Sequence, residues 1–344
     1  MTRNLSAPTG QPHGRAPHRG RAWLLGVALP VLVTGAAWGL TARWIPRLPE
    51  EVALHWGADG RVDRLGSVHE MLVTSGVMGG VSLVVLGLCS VLLGRTSFTR
   101  RMLLGLAAGS ASFFAGLHVT LVAAQLDVTD PAATPVPNGG FTLSVVVAVL
   151  AGILAGALAG RDPDRPATGP LPATAPRAHL EDEERAVWLR RVAPSGPFLR
   201  WGGVLAAVYL GLSLWFALIS GGWFVLVIMG AAATLPMTML VWEVRVDASG
   251  LTARGTLGWP RQHVPAREVV EARTATVSPF REFGGWGLRT AVDGTVGVVI
   301  RSGEAIAVER TGGRRLVVTV DDAATGAALL NTFAERSRAR PDTA

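Results

Sequence analysis

The 344-residue chain is 49% hydrophobic and 17% charged, with 42 glycines and a mean hydropathy of +0.37. This composition excludes an ordinary soluble globular protein and indicates that a lipid bilayer surrounds much of the chain. The net charge of +7 comes from arginine alone, since there is no lysine, and we interpret it as a compositional bias rather than as a nucleic-acid-binding surface.

Six apolar runs are long enough to cross a bilayer as helices. A hydrocarbon core about 30 Å thick needs about 20 helical residues, and backbone groups in lipid must be bonded within their own segment. We therefore predict a polytopic α-helical membrane bundle with about six transmembrane helices, near residues 22–42, 71–94, 102–125, 140–160, 199–220 and 222–242. The first run is interpreted as an uncleaved span rather than a signal peptide.

Charged residues in the short loops predict the orientation of these spans. Arginines concentrate before the first span, after the second and after the fourth, whereas the loop after the third span carries Asp127 and Asp130. The positive-inside rule then places both termini in the cytoplasm. Residues 1–21 are predicted to be a disordered cytoplasmic N-terminus. Residues 22–160 would form a four-span domain, and residues 199–242 a hairpin of two spans.

The predicted extracytoplasmic loop, residues 43–70, contains the most distinctive motif. It is expected to form a strand, a Gly/Asp turn and a returning strand, and Ser67 and Glu70 have the spacing of a capping box at the start of the second span. The motif consists of a proline, a His-Trp pair, a glycine and an aspartate, at Pro49, His55, Trp56, Gly60 and Asp63.

These positions resemble the loop of the domain of unknown function 1648 (DUF1648) family, over roughly residues 25–70. That family occurs in membrane proteins that include SdpI-type immunity and signalling proteins, so the resemblance implies a multi-pass protein of the bacterial cytoplasmic (inner) membrane. It implies no particular reaction. The remaining spans carry no clear SdpI signature.

Five side chains are candidates for a ligand or metal site on this side of the membrane. His55, Asp59, Asp63 and His69 offer nitrogen and oxygen ligands for a divalent ion. His118 lies about 16 residues, or about 24 Å, from the inner end of the third span, which places it in the outer leaflet. A structural alternative is open: His55 and Trp56 would hold the loop on the bundle, Asp63 would cap a turn, and His118 would bond across helices.

Residues 161–198 are predicted to be a cytoplasmic linker in two parts. Residues 161–177 contain five prolines and read as disordered or polyproline-like. Residues 178–193 have acids at the start and arginines at the end, which predicts a short amphipathic helix.

Beyond the last span, short alternating runs replace the long apolar ones. We predict strands at residues 243–247, 251–255, 262–265, 269–277, 288–292, 305–309 and 315–320, then a helix over residues 322–336 with Ala327, Leu330 and Phe333 on one face. This pattern predicts a small β-barrel or sandwich with one capping helix over residues 243–337, followed by a disordered tail, 338–344.

The strand order, the terminal helix and the Gly284–Arg289 turn resemble the pleckstrin-homology-like (PH-like) domains of bacterial membrane proteins. The resemblance implies an interaction module. Residues 243–344 contain fourteen arginines and twelve acids, so the segment has almost no net charge to attract anionic lipids. We therefore expect a protein partner there rather than a lipid headgroup.

Signatures of common enzyme classes are missing from the sequence, including phosphate-binding loops, HExxH and GxSxG. Cys89 is the only cysteine, so no cysteine-based metal site is expected. We predict no cofactor and a role in sensing, immunity or assembly, with an extracytoplasmic peptide, envelope component or ion recognised by the loop. A small-solute transporter or channel is the second hypothesis, and a metal-dependent envelope hydrolase is the third.

Overall fold

The computed structural model describes residues 18–57, 59–94, 96–181, 184–194, 196–220, 226, 229–230 and 240–339. The chain divides into a helical unit, Ala16–Asp162 with Ala207–Ala231, and a second unit that contains Pro163–Ala206 and Ala232–Ala344.

Five helices in the described part of the chain are long and apolar enough to cross a membrane. They are α1 (Arg19–Ala42, with a π-helical turn at Leu24–Ala28), α2 (Val68–Leu93), α3 (Ser97–Ala123), α4 (Asn138–Leu158) and α5 (Gly196–Ser220). Five of the six predicted spans are thereby confirmed as candidate membrane helices. The sixth, 222–242, falls largely outside the described residues, and its last residue, Trp242, already begins a strand.

Glycines let α3 and α4 approach closely. A Cβ atom on Gly105 would lie 3.0 Å from the carbonyl oxygen of Gly152, and one on Gly109 would lie 3.0 Å from that of Ala148. A larger side chain at either glycine would therefore push the helix backbones apart. Gly105, Gly109 and Gly152 thus serve packing between helices of the same bundle.

A buried arginine joins three chain segments at one end of the helical unit. The Arg100 side chain is fully buried and donates hydrogen bonds to the carbonyl oxygens of Ala159 (2.9 Å), Gly160 (3.1 Å) and Gly94 (3.4 Å). It also forms an ion pair with Asp162 at 3.1 Å. Arg100 thus bonds carbonyl groups that the ends of α2 and α4 leave without a helical partner.

The second unit contains two sheets and a terminal helix. Strands β3 (Trp188–Val192), β4 (Trp242–Asp247), β5 (Gly250–Gly255) and β6 (Arg261–Pro265) form an antiparallel sheet in that order. A five-stranded sheet has the order β7-β10-β11-β9-β8, in which β9 and β11 are parallel. Its strands are β7 (Val269–Val277), β8 (Gly287–Thr290), β9 (Val296–Val299), β10 (Gly303–Arg310) and β11 (Arg314–Thr319).

Two helices complete this unit, α6 (Pro279–Phe283) and α7 (Ala323–Ala339). Ala327, Leu330 and Phe333 of α7 are buried, as the predicted apolar face requires. The Asn331 amide reaches β7, where it accepts from the backbone N–H of Ala272 and donates to its carbonyl, both at 2.8 Å. The seven predicted strands and the terminal helix are confirmed, whereas β3, β9 and α6 were not predicted.

The predicted amphipathic helix at residues 178–193 is wrong. Residues Trp188–Val192 form β3, which pairs with β4 from Trp188 opposite Val246 to Val192 opposite Trp242. Trp188 and Val192 are buried, and pairing with β4 satisfies the backbone groups of β3. These two contributions together outweigh the weak helical preference that the charge pattern indicates.

The proline-rich segment, residues 161–177, forms no helix or strand, but from Pro163 onward it packs within the second unit. Leu171 and Ala175 are buried, and the N–H of Ala167 donates to the carbonyl of Arg267 at 2.7 Å. Glu268, which is buried, accepts from the N–H of Arg165 and from Arg310 and Arg314. The expectation of disorder fails here because the segment buries apolar side chains and its backbone finds partners.

Candidate binding site beside the His-Trp hairpin

The DUF1648-like motif forms a β-hairpin in the helical unit. Strand β1 (Glu51–Trp56) pairs antiparallel with β2 (Val62–Ser67). In the turn, the N–H of Gly57 donates to the carbonyl of Arg61 at 2.8 Å, and Gly60 has a φ of +75°, which favours glycine. The predicted strand, turn and returning strand are confirmed.

Two irregularities in the pairing change where side chains of the hairpin point. The register passes from Ala53 opposite Leu65 to His55 opposite Arg64, and then to Trp56 opposite Val62. Leu54 in β1 and Asp63 in β2 are therefore the extra residues of two β-bulges. A bulge redirects the side chains around it, which lets the adjacent Ala53 and Leu54 line the same cleft and brings Asp63 to His55.

His55 and Asp63 form a surface pair. The Nδ1 atom of His55 lies 2.6 Å from a carboxylate oxygen of Asp63, and both side chains are at least half exposed. An exposed pair of this kind contributes little to the stability of the fold. A stabilising role therefore does not explain why the motif contains both residues.

A buried glutamine fixes the hairpin on the helices. The Gln125 amide oxygen accepts from the N–H of Ala53 at 2.5 Å, and its Nε2 donates to the carbonyl of Ala53 at 3.3 Å. Gln125 thus takes the place of a neighbouring strand along the edge of β1 that does not face β2. Val52 packs beside it against Met71 and Val122.

Further contacts tie the hairpin region to the segment after α3. The Trp56 indole N–H donates to the carbonyl of Thr134 at 2.9 Å. Arg47 forms an ion pair with Asp127, and the hydrogen bond from its guanidinium holds the pKa of the Asp127 carboxyl below its usual range. The hydrogen bond from Trp56 to Thr134 agrees with the structural alternative in which Trp56 holds the loop in place.

A cleft opens where the hairpin meets α2 and α3, with a cavity volume of about 120 Å³. Its lining is mostly apolar: Ala53 and Leu54 from the hairpin, Met71 and Met78 from α2, and Phe114, Leu117 and Leu121 from α3. Arg64 and Glu70 also line the cleft and form an ion pair with each other. A volume of this size holds one short apolar group rather than a drug-sized ligand, since ligand pockets usually measure about 300–1,000 Å³.

His118 lies next to this cleft inside the bundle. Its Nε2 is 2.8 Å from the Thr41 hydroxyl, its Nδ1 is 3.1 Å from the Ser75 hydroxyl, and its ring stacks on Trp38 at 4.3 Å. Ser75 also lines the cleft, so a residue that contacts His118 borders the open space. The structural interpretation, in which His118 bonds across helices, agrees with these contacts.

The predicted ligand residues are only partly brought together. His55 and Asp63 meet, whereas Asp59 accepts a hydrogen bond from the N–H of Arg61, and His69 is exposed in the first turn of α2. Across the residues that the structure describes, no three His, Cys, Asp or Glu side chains are grouped so that they could hold a metal ion.

Gln125, Arg64 and the cleft were not predicted from the sequence. One feature of the sequence could have indicated Gln125, because it is a lone amide side chain at the end of an apolar run. Ser67 accepts from the N–H of Glu70 at 3.1 Å as the capping box predicts, but the Glu70 carboxylate bonds Arg64 instead of completing the box.

Comparison with known proteins gives one match. Residues 32–79 match the family model described as a domain of unknown function (DUF1648). Neither the curated proteins nor the solved structures contain a significant match to the chain. The matched segment runs from α1 through the hairpin into α2, and it contains Trp38, Thr41 and Ser75, the three partners of His118. The chain is thus a protein with several apolar helices and a DUF1648-like segment.

Proposed function

We propose that this protein is a bacterial sensing, immunity or assembly protein whose hairpin and cleft recognise an anionic amphiphile of the cell envelope. One short segment of the apolar chain of the ligand would occupy the cleft, and the anionic head would contact Arg64. The observation that carries this proposal is the combination of an apolar lining with the Arg64–Glu70 pair in a single cleft.

The geometry of α2 supports this ligand class. Glu70 lies in the first turn of the helix and Met78 lies eight residues further on, which is about 12 Å along a helix. The cleft therefore runs from the charged end of a candidate span into its apolar part. An amphiphile has the same order of polar and apolar groups, and a head carrying negative charge would compete with Glu70 for Arg64.

The rest of the proposal concerns topology and domains. Six spans, with the sixth at 222–242, would put both termini in the cytoplasm and the hairpin outside. The SdpI-like arrangement of the loop and a PH-like fold for residues 243–337 are parts of the same proposal. In it, the terminal unit is an interaction module that contacts a partner protein, and His55 and Asp63 form a second polar contact for the ligand.

The topology gives the first test. Reporters active only in the periplasm or only in the cytoplasm, fused at Gly57 and at Ala344, should report opposite sides of the membrane. The positive-inside bias of the arginine-rich loops is the physical reason. Reporters found on the same side would contradict an external recognition site coupled to a cytoplasmic module.

Photo-labelling tests the ligand class. In proteoliposomes, a phosphatidic acid with a diazirine in its acyl chain should label peptides of α2 and α3 that line the cleft, more strongly than the matching phosphocholine lipid does. Met78→Trp should reduce that labelling about tenfold, because the indole fills the cleft, and Arg64→Gln should remove the preference for the anionic head.

Val84→Trp is the matched control, since Val84 is exposed on the same helix and is not part of the cleft lining. It should leave the labelling unchanged. Labelling spread evenly over all helices, or equal effects of the two tryptophan variants, would contradict the proposal.

A further inference from the structure

One end of the four-stranded sheet is directly connected to a candidate membrane span. Strand β3 ends at Val192, and α5, which contains the candidate span Arg200–Ile219, begins at Gly196. Four residue steps reach at most about 14 Å, so Val192 lies close to the start of that helix. Val192 pairs with Trp242, the first residue of β4, and we call this side of the sheet the Trp242 end.

The β5–β6 turn projects from the same end. Gly255, the last residue of β5, pairs with Trp242, and the Thr256 hydroxyl donates to the carbonyl of Val241 at 3.2 Å. Residues 256–260 therefore extend past the last pair of the sheet, at the end where β3 leads into α5. The turn is ordered by bonds from the N–H of Gly255 to the carbonyl of Pro260 and from the N–H of Gly258 to the carbonyl of Gly255, both 2.9 Å.

Large apolar side chains occupy the tip of this turn. Leu257 is 77% exposed and Trp259 is 57% exposed. Exposing both side chains to water at one turn forfeits the favourable free energy that burying their apolar surface would give. Tryptophan is also the residue that membrane–water interfaces favour, because its ring is apolar and its N–H is polar.

Two arginines lie just behind the tip. Arg254 and Arg261 are directly opposite each other on β5 and β6, and Arg254 forms an ion pair with Glu243. Like charges directly opposite on neighbouring strands repel each other. Lipid phosphates at the depth of these guanidinium groups would relieve that repulsion, and the aliphatic parts of the side chains would follow the apolar tip.

From these observations we propose that the β5–β6 turn inserts Leu257 and Trp259 into the interface of the bilayer that α5 enters, with Arg254 and Arg261 at the lipid phosphates. This contact is separate from the ligand site beside the hairpin and does not depend on it. It would hold the Trp242 end of the sheet against the membrane and leave the opposite end of the sheet facing water.

A fluorescent probe at the turn tests the insertion. The full chain with Cys89→Ser and Leu257→Cys carries a single thiol, which is labelled with an environment-sensitive dye after reconstitution into vesicles of phosphatidylethanolamine and phosphatidylglycerol. We expect blue-shifted emission and quenching by lipids with a shallow spin label, at least about threefold stronger than at an aqueous site. Trp259→Cys, labelled in the same way, gives a second reading at the tip.

Ala248→Cys supplies the matched control. Ala248 is exposed in the β4–β5 turn, at the other end of the same strands, about 17–20 Å from the tip for a six-residue strand. Its label should emit as in water and resist the lipid quencher. Equal quenching at Leu257 and Ala248, or water-like emission from both tip positions, would overturn the proposal.

Discussion

Arg100→Leu is expected to lower the free energy of unfolding of the helical unit by about 3–5 kcal/mol, the usual cost of removing one partner from a buried ion pair. The substitution would leave Asp162 facing an apolar side chain and would remove the donors that the carbonyls of Ala159 and Gly160 now use. Unfolding of the purified protein in mixed detergent and SDS measures the loss.

Arg101→Leu is the control for this prediction. Arg101 is the next residue of α3 and is exposed, so its substitution should change the free energy of unfolding by less than about 0.5 kcal/mol. The double variant Arg100→Leu/Asp162→Leu should recover part of the loss, because the carboxylate that paired with the guanidinium is then absent as well. If Arg100→Leu cost no more than Arg101→Leu, the role assigned to the buried guanidinium would be wrong.

Arg100 also shows where sequence reasoning stops. In the sequence it belongs to an arginine-rich loop, and the positive-inside rule treats it in the same way as its neighbour Arg101. Only the packing of α2, α3 and the end of α4 distinguishes the two, and that packing depends on residues about 60 positions apart.

Elements with a strong local pattern were predicted well, because their conformation does not depend on distant residues. Apolar length defines the candidate spans, and the alternation of β4 to β7 defines their strands without knowledge of tertiary contacts. Strand β3 has five residues and takes its conformation from β4, at least 50 positions away in sequence, so its local charge pattern misled the prediction.

The hairpin motif was recognised, but the cleft was not. The motif residues share one short segment, whereas the cleft needs side chains from β1, β2, α2 and α3 together. His118 illustrates the difference: its depth in the third span was predictable, but its partners Thr41 and Ser75 come from two other helices.

The position of the hairpin depends on Gln125, which gives the second large prediction. Gln125→Leu keeps a similar volume but leaves the N–H and carbonyl groups of Ala53 buried without their partner, at about 1–3 kcal/mol for each group. We expect backbone amides in residues 50–57 to exchange with deuterium about 100-fold faster, which corresponds to about 2.7 kcal/mol.

Asp127→Ala tests whether this effect is specific. It removes the exposed ion pair with Arg47 in the same region but leaves the Gln125 bonds, so the exchange of residues 50–57 should change far less. In the proposed function, Gln125→Leu should also abolish preferential labelling by the anionic photo-lipid, although every residue that lines the cleft is still present. Unchanged exchange in Gln125→Leu would mean that Trp56, Val52 and the α2 contacts hold the hairpin without the amide, and that the cleft does not depend on it.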